Sequence, residues 1–366
     1  MKRCIALVIV LLLCAALPCA AEDYVRCTAG TSVHLRSGPG TEYAVVGSLQ
    51  RGALVRQIDA SGDWRLIFDG FLQAWVSARY TEPAPTVDWL EAGYIRDALD
   101  AAERAPAMGS ATCIAAEGAA ARSAPDANSA PAGVLEPNTA YPLYERREGF
   151  LRVRTDGGDV WVDAALMEAR LCERLTLDEG FSFRPIEGDV QQRINGRSYG
   201  ANCTVPYSDL RYLSILYCDF EGDVHPGEII CNASVAREML IIFRVLYEVR
   251  YPLTMVRMVD DFDAVDRASM SANNTSCFNF RLIAGTDRLS NHALGLAIDV
   301  NPQINPYVSG SYVSPANGAA YADRLQDFEG RIDAGDLCYQ LFARYGWQWG
   351  GAWQGAQDYQ HFEKYL

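Results

Sequence analysis

The stretch on which the reading of this chain turns is 290-SNHALGLAIDVNP-302. Apolar residues run through LGLAIDV as in a buried strand, yet Asp299 sits at its centre, and a buried carboxylate is costly without a partner. His292 stands seven residues upstream, in a chain with only four histidines. Strand alternation puts Ala297 and Asp299 on one face, so the small Ala297 leaves space beside whatever Asp299 holds, and Gly295 suits a sharp approach to it. Partners come from the last segment, 341-LFARYGWQWGGAWQGAQDYQHFEKYL-366, where Asp358 precedes His361 by three residues. Two histidines and one carboxylate are the open ligand set of a catalytic zinc, with a fourth position left for water. His292, Asp299 and His361 are therefore the candidate metal ligands, and Asp358 stands next to the metal without being one. Each half alone is weak, because a histidine near an aspartate is usually a hydrogen-bonded core pair. SxHxxGxAxD followed by DxxHFE is far harder to assemble by chance.

Outward from these motifs, the chain past about residue 175 mixes helix and strand. Residues 234-SVAREMLIIFRVLYEVRY-251 carry apolar side chains at helical spacing and end at Pro252, and 253-LTMVRMVD-260 reads as a strand following them. Trp347, Trp349 and Trp353 offer a wall for a cleft, with at least two of them expected in the core. On these motifs the segment resembles the zinc peptidases of the D-alanyl-D-alanine carboxypeptidase family (VanY-like), which also holds L-alanyl-D-glutamate endopeptidases, from about Asn195 to Leu366. The resemblance implies that His292, Asp299 and His361 bind Zn2+ and that Asp358 is the general base. It also implies that Arg281, in 273-NNTSCFNFR-281, lies against the substrate or the developing oxyanion, and that Ser290 lines the site. His225, in VHPGEII, matches a recurrent family position and is read as structural.

An internal repeat organises the first half. At a constant offset of 86, 36-RSGPGTEYAVVGSLQRG-52 falls on 122-RSAPDANSAPAGVLEPN-138, and the same offset carries Cys27 to Cys113, Trp64 to Phe150 and Trp75-Val76 to Trp161-Val162. Ungapped agreement of this kind indicates two copies of one unit. Each copy reads as short β-runs broken by Gly, Pro and Asp turns, which suggests a small barrel. The first copy resembles the bacterial SH3-like (SH3b) domain through HLRSGPGTEYAVVGSL, Asp63-Trp64 and AWVSARY. The second resembles it with Ala124 and Asp126 in place of the turn glycines. The resemblance implies binding of cell-wall peptides. Between the copies, 86-TVDWLEAGYIRDALDAAERA-105 spaces Trp89, Tyr94, Ile95 and Leu99 as a helix, with Thr86 or Asp88 able to cap it.

Residues 1–21, MKRCIALVIVLLLCAALPCAA, have the basic start, short apolar run and small-residue end of a secretory signal cleaved after Ala21. No later run reaches spanning length, so the mature chain is expected to be secreted or held at the cell envelope, without a membrane span. Loss of Lys2 and Arg3 takes the net charge from −14 to −16, which argues against nucleic acid and anionic membrane surfaces as partners. Eight of the eleven cysteines stay in the mature chain, none in a CxxC pair. Disulfides are permitted there, and a cysteine zinc knuckle is disfavoured.

The expected chain is multidomain: two small SH3-like β-barrels followed by an α+β zinc peptidase domain. The expected order is a signal peptide (1–21), an SH3b-like domain (23–82), a linker with a helix (83–110), a second, degenerate SH3b-like domain (111–170) and the peptidase domain (175–366). Such a protein is an exported zinc metallopeptidase that hydrolyses peptidoglycan stem peptides and is carried to the cell wall by its SH3b-like domains. D-alanyl-D-alanine carboxypeptidase leads, on the run 273–281 and the multidomain build. Aspartate in place of glutamate at 358 leans to L-alanyl-D-glutamate endopeptidase, and a non-catalytic wall-binding protein is the competing class.

Overall fold

The computed structural model describes residues 21–22, 24–69, 72–84, 86–283 and 285–366. The expected signal peptide, Ala21 excepted, lies outside the described residues. Among the described residues no helix is long and apolar enough to cross a membrane. The chain divides into two compact units, one running to Asp100 and including Asp333–Gln340, the other Ala101–Ile332 with Leu341–Leu366.

The first unit is built on a seven-stranded antiparallel sheet of Tyr24–Cys27, Ser32–Arg36, Val45–Gln50, Leu54–Ser61, Trp64–Phe68, Gln73–Ser77 and Thr81–Pro83. Their order across the sheet is third, second, sixth, fifth, fourth, first, seventh. The second unit opens with a sheet of the same order, from Gly109–Cys113, Ala119–Arg122, Pro131–Leu135, Ala140–Arg147, Phe150–Thr155, Gly158–Asp163 and Met167–Leu171. The offset of 86 holds to the residue. Arg36 pairs with Trp75 as Arg122 pairs with Trp161, and a bulge between Gln57 and Asp59 recurs between Leu143 and Glu145. Cys27, Leu49, Ile67 and Val76 fill one core, and Cys113, Leu135, Val153 and Val162 fill the other. A bulge is a deliberate extra residue in one strand, so a shared bulge marks one backbone plan used twice. Between the sheets, Asp88 accepts from the Leu90 amide and caps the turn Trp89–Glu91, and the helix itself is Gly93–Glu103.

In residues 175–366 antiparallel sheets are interleaved with helices. Leu175–Asp178, Phe181–Pro185, Leu210–Cys218 and Val224–Asn232 pair in chain order, and helix Ala236–Glu248 packs on them. Met239, Leu240, Ile241, Ile242 and Phe243 are all buried, so this helix is enclosed on every side and not striped. The strand expected over 253–260 shrinks to Met255–Val256. After it the chain turns through Val259–Phe262, because the buried Asp260 carboxylate accepts from Ser198 N at 3.1 Å and Ser198 Oγ at 2.8 Å. Two small sheets follow. One orders Ala297–Asp299, His361–Glu363 and Gln348–Trp349; the other orders Tyr312–Ser314, Tyr307–Ser309 and Gln357–Asp358. The eight cysteines from Cys27 to Cys338 are free thiols.

Candidate metal centre

Local devices place each donor. The Ser290 hydroxyl accepts from the His292 amide at 3.2 Å and so caps the turn Asn291–Leu294, which Gly295 ends at φ 66°. Gly295 makes its close approach to the strand behind the site and not to the donors, since a Cβ there would lie 2.6 Å from the Asn232 amide nitrogen. Ala297–Asp299 runs antiparallel to His361–Glu363, with Asp299 opposite His361 and Ala297 opposite Glu363. Opposed residues share a face, so the small Ala297 makes room for Glu363. The segment that supplies both late residues passes from one small sheet to the other: Asp358 pairs with Tyr307, and His361 pairs with Asp299. The spacing Asp358-x-x-His361 is the length of that crossing.

Three donors converge. His361 Nδ1 lies 3.0 Å from Asp299 Oδ1 and 3.2 Å from His292 Nε2, which is itself 3.3 Å from the same oxygen. All three side chains are buried, and their ligand atoms lie within 4.8 Å of one another, a group able to hold a metal ion. The outer nitrogens fix the tautomers. His292 Nδ1 faces the Cys277 carbonyl at 2.6 Å, and His361 Nε2 faces Glu363 Oε2 at 3.4 Å. Each acceptor takes the ring N–H, which turns the lone pairs of His292 Nε2 and His361 Nδ1 towards each other and towards a carboxylate. Such a set needs a proton or a metal cation among its donors.

A proton can take that place. Burial disfavours charge on Asp299, yet His292 and His361 hold its carboxyl well below the usual range. Burial likewise opposes charge on His361, but its bonds to Asp299 and Glu363 lift the imidazole to about 10. Two imidazoles and one carboxylate are also a donor set that zinc accepts, so residues and metal fit.

A cleft of about 730 Å³ opens over the donors and is lined by Asp358, Ser290 and Arg281, with Arg288, Trp353 and Tyr307. Burial pushes the Asp358 carboxyl up to about 6, against the pull of His361 and with the help of Asp299. Gln360 Nε2 donates to Asp358 at 2.9 Å. Arg281 pairs with Asp266 at 3.0 Å and keeps a buried Nε without a partner. The Trp353 ring lies 5.3 Å from that of His361, while Trp347 and Trp349 are in the core. His225 is not among the cleft residues and pairs instead with Asp219 at 2.6 Å. Sequence reasoning passed over Glu363, which also accepts from Asn291 Nδ2 at 2.6 Å and from the Tyr365 hydroxyl at 2.9 Å. Its signal was in the quoted HFE, where strand alternation puts Glu363 on the face of His361.

Residues 284–364 match the family model for D-alanyl-D-alanine carboxypeptidase. Ser290, His292, Asp299, Asp358 and His361 fall within that span, and Arg281 lies just before it. Residues 31–82 match the bacterial SH3 domain. The protein is thus a multidomain, mostly β chain that joins a bacterial SH3 domain to a carboxypeptidase-family region. No curated protein matches. Among solved structures, NlpC2 from Trichomonas vaginalis is similar at 12% identity and a TM-score of 0.16, over 40% of this chain and 48% of that one. NlpC1 from Trichomonas vaginalis is similar at 10% identity and a TM-score of 0.16, over 43% and 50%. The endolysin LysPBC5 CBD is similar at 11% identity and a TM-score of 0.16, over 42% and 96%. The matches span about half the length of the two NlpC chains.

Proposed function

We propose that this is an exported zinc peptidase of peptidoglycan stem peptides, acting as a D-alanyl-D-alanine carboxypeptidase. The observation that carries the reading is the convergence of His292 Nε2, His361 Nδ1 and Asp299 Oδ1 in a cleft that also holds Asp358 and Arg281. His292, Asp299 and His361 hold Zn2+, which when bound lowers the pKa of water from about 15.7 to about 7. Asp358, ionised above about pH 6, takes a proton from the attacking water and hands it to the leaving amine, a role worth roughly 10²–10⁴ in rate. Arg281 presents a planar fork that binds a carboxylate or a developing oxyanion bidentately, and Ser290 lines the same pocket. Arg288 adds a second cation to that cleft. Two guanidinium groups suit a peptide that ends in a carboxylate, which supports carboxypeptidase action over endopeptidase action. The SH3b-like domain over 23–82 holds the enzyme on the wall to which the signal at 1–21 exports it.

Paired measurements of zinc content and muropeptide cleavage test this. Asp358→Ala should keep its zinc and lose at least roughly 10²-fold in rate. His361→Ala should lose both. Loss of a single terminal D-alanine in the product masses identifies the bond. A zinc-loaded parent that cuts no muropeptide is instead a wall-binding protein.

A further inference from the structure

The strand that carries His361 is fastened from behind. Lys364 follows it directly and is fully buried, and its amide donates to the Leu296 carbonyl at 2.9 Å, extending the pairing of His361–Glu363 with Ala297–Asp299. Its ammonium donates to both carboxylate oxygens of Glu238 at 2.7 Å, and Glu238 also accepts from Trp347 Nε1 at 2.7 Å. The same ammonium lies 3.8 Å from Glu145 Oε1, a buried carboxylate gripped by Arg147 Nε at 2.9 Å and Arg152 Nε at 3.2 Å. Glu238 belongs to the enclosed helix Ala236–Glu248, and Glu145 to the strand Ala140–Arg147 of the second repeat copy. One buried cation therefore ties three elements together. Beside it, the Arg237 guanidinium lies 4.9 Å from the centre of the Tyr144 ring, on the same strand as Glu145.

The first copy supplies an internal contrast. At the offset of 86, Glu145 corresponds to Asp59 and Tyr144 to Ile58. Both first-copy residues are exposed, and Asp59 Oδ1 accepts from its neighbour, the Ala60 amide, at 2.8 Å. The same face of the same strand is open to solvent in one copy and built into the interior in the other.

We propose that the second copy has become a brace of the catalytic region, with Glu145 and Lys364 as positioning residues that hold His361–Glu363 against Ala297–Asp299 so that His361 Nδ1 meets Asp299 and His292. The proposal rests on the reading of those donors as a metal centre. Outer partners of metal ligands typically change metal affinity by about 10–100-fold, and Glu145→Gln in the full chain should raise the zinc dissociation constant by about 10-fold. It should also lower kcat with KM unchanged, and speed exchange of the Lys364 amide several-fold in metal-free protein. Asp59→Asn, the matching change in the first copy, should alter none of these. Lys364→Met strands the buried Glu238 carboxylate, so it is paired with Glu238→Gln, which neutralises both partners and keeps the fold testable. The double variant should show the same weakened zinc binding and faster exchange at residue 364. A lowered Tm with parent zinc affinity, kcat and exchange overturns the proposal, as does an equal effect from Asp59→Asn. The exchange readout needs neither metal nor substrate. A parent protein that binds no zinc therefore refutes the metal reading, and the brace is still judged by exchange.

Discussion

Gly350→Ala should separate catalysis from metal binding by steric means alone. Gly350 opens the short turn Gly350–Ala352, and its φ is not in the left-handed region, so the backbone itself admits alanine. The added methyl carbon would lie 2.8 Å from the Asp358 carbonyl oxygen, 2.9 Å from Asp358 Cβ and 3.3 Å from His361 Cβ. Unbonded carbons settle at about 3.5–4.0 Å, so Asp358 must retreat by roughly 0.6–1.1 Å and the His361 Cβ by roughly 0.2–0.7 Å. Misplacing a reacting group by about an ångström costs on the order of 10²-fold in rate, whereas the smaller shift at the His361 Cβ can be absorbed by its side-chain torsions while Nδ1 stays in place. The expected variant therefore keeps its zinc and loses about 10²-fold in kcat. Zinc content by elemental analysis and cleavage of purified muropeptides read the two quantities. A parent-like kcat refutes the place given to Asp358. Loss of zinc at parent stability shows that the strain passed to His361 instead.

Glu363→Ala removes the acceptor that orients His361 through Nε2, and should weaken zinc binding by about 10–100-fold in a chelator competition; unchanged affinity would mean that the tautomer is set elsewhere. The pH profile follows from Asp358. Its carboxyl is pushed up to about 6 by burial, and the base proposed here acts when ionised, so kcat/KM should rise with pH through an acid limb. A bound cation favours the ionised form, so that limb belongs at or below about pH 6, and a limb well above it removes Asp358 as the base.

Much of this was legible because it depends on spacing. The repeat showed through its turn residues, and the strands, bulges and cores follow the same offset because each turn fixes the register after it. His292, Asp299 and His361 were legible because a donor set needs particular side chains. Cys277 was not, because it acts through its carbonyl, which every residue has. Glu145 and Lys364 carry no motif, and only the packing of one region on another buries them together. The strand expected over 253–260 stops at Val256, because the Asn274 side chain takes both the amide and the carbonyl of Arg257 in place of a neighbouring strand.

Asp299 and His361 are 62 positions apart in the chain, and their pairing closes everything between them into one excursion. The strands Tyr307–Ser309 and Tyr312–Ser314, which supply part of the cleft wall, lie within it. The entropy of closing a loop grows only slowly with its length, about 0.6 kcal/mol for each doubling. Insertions at the turn between those two strands therefore add little closure cost and leave the clasp untouched. Substrate range is thus the trait this architecture leaves open to drift and selection, while the chemistry at its base is held constant.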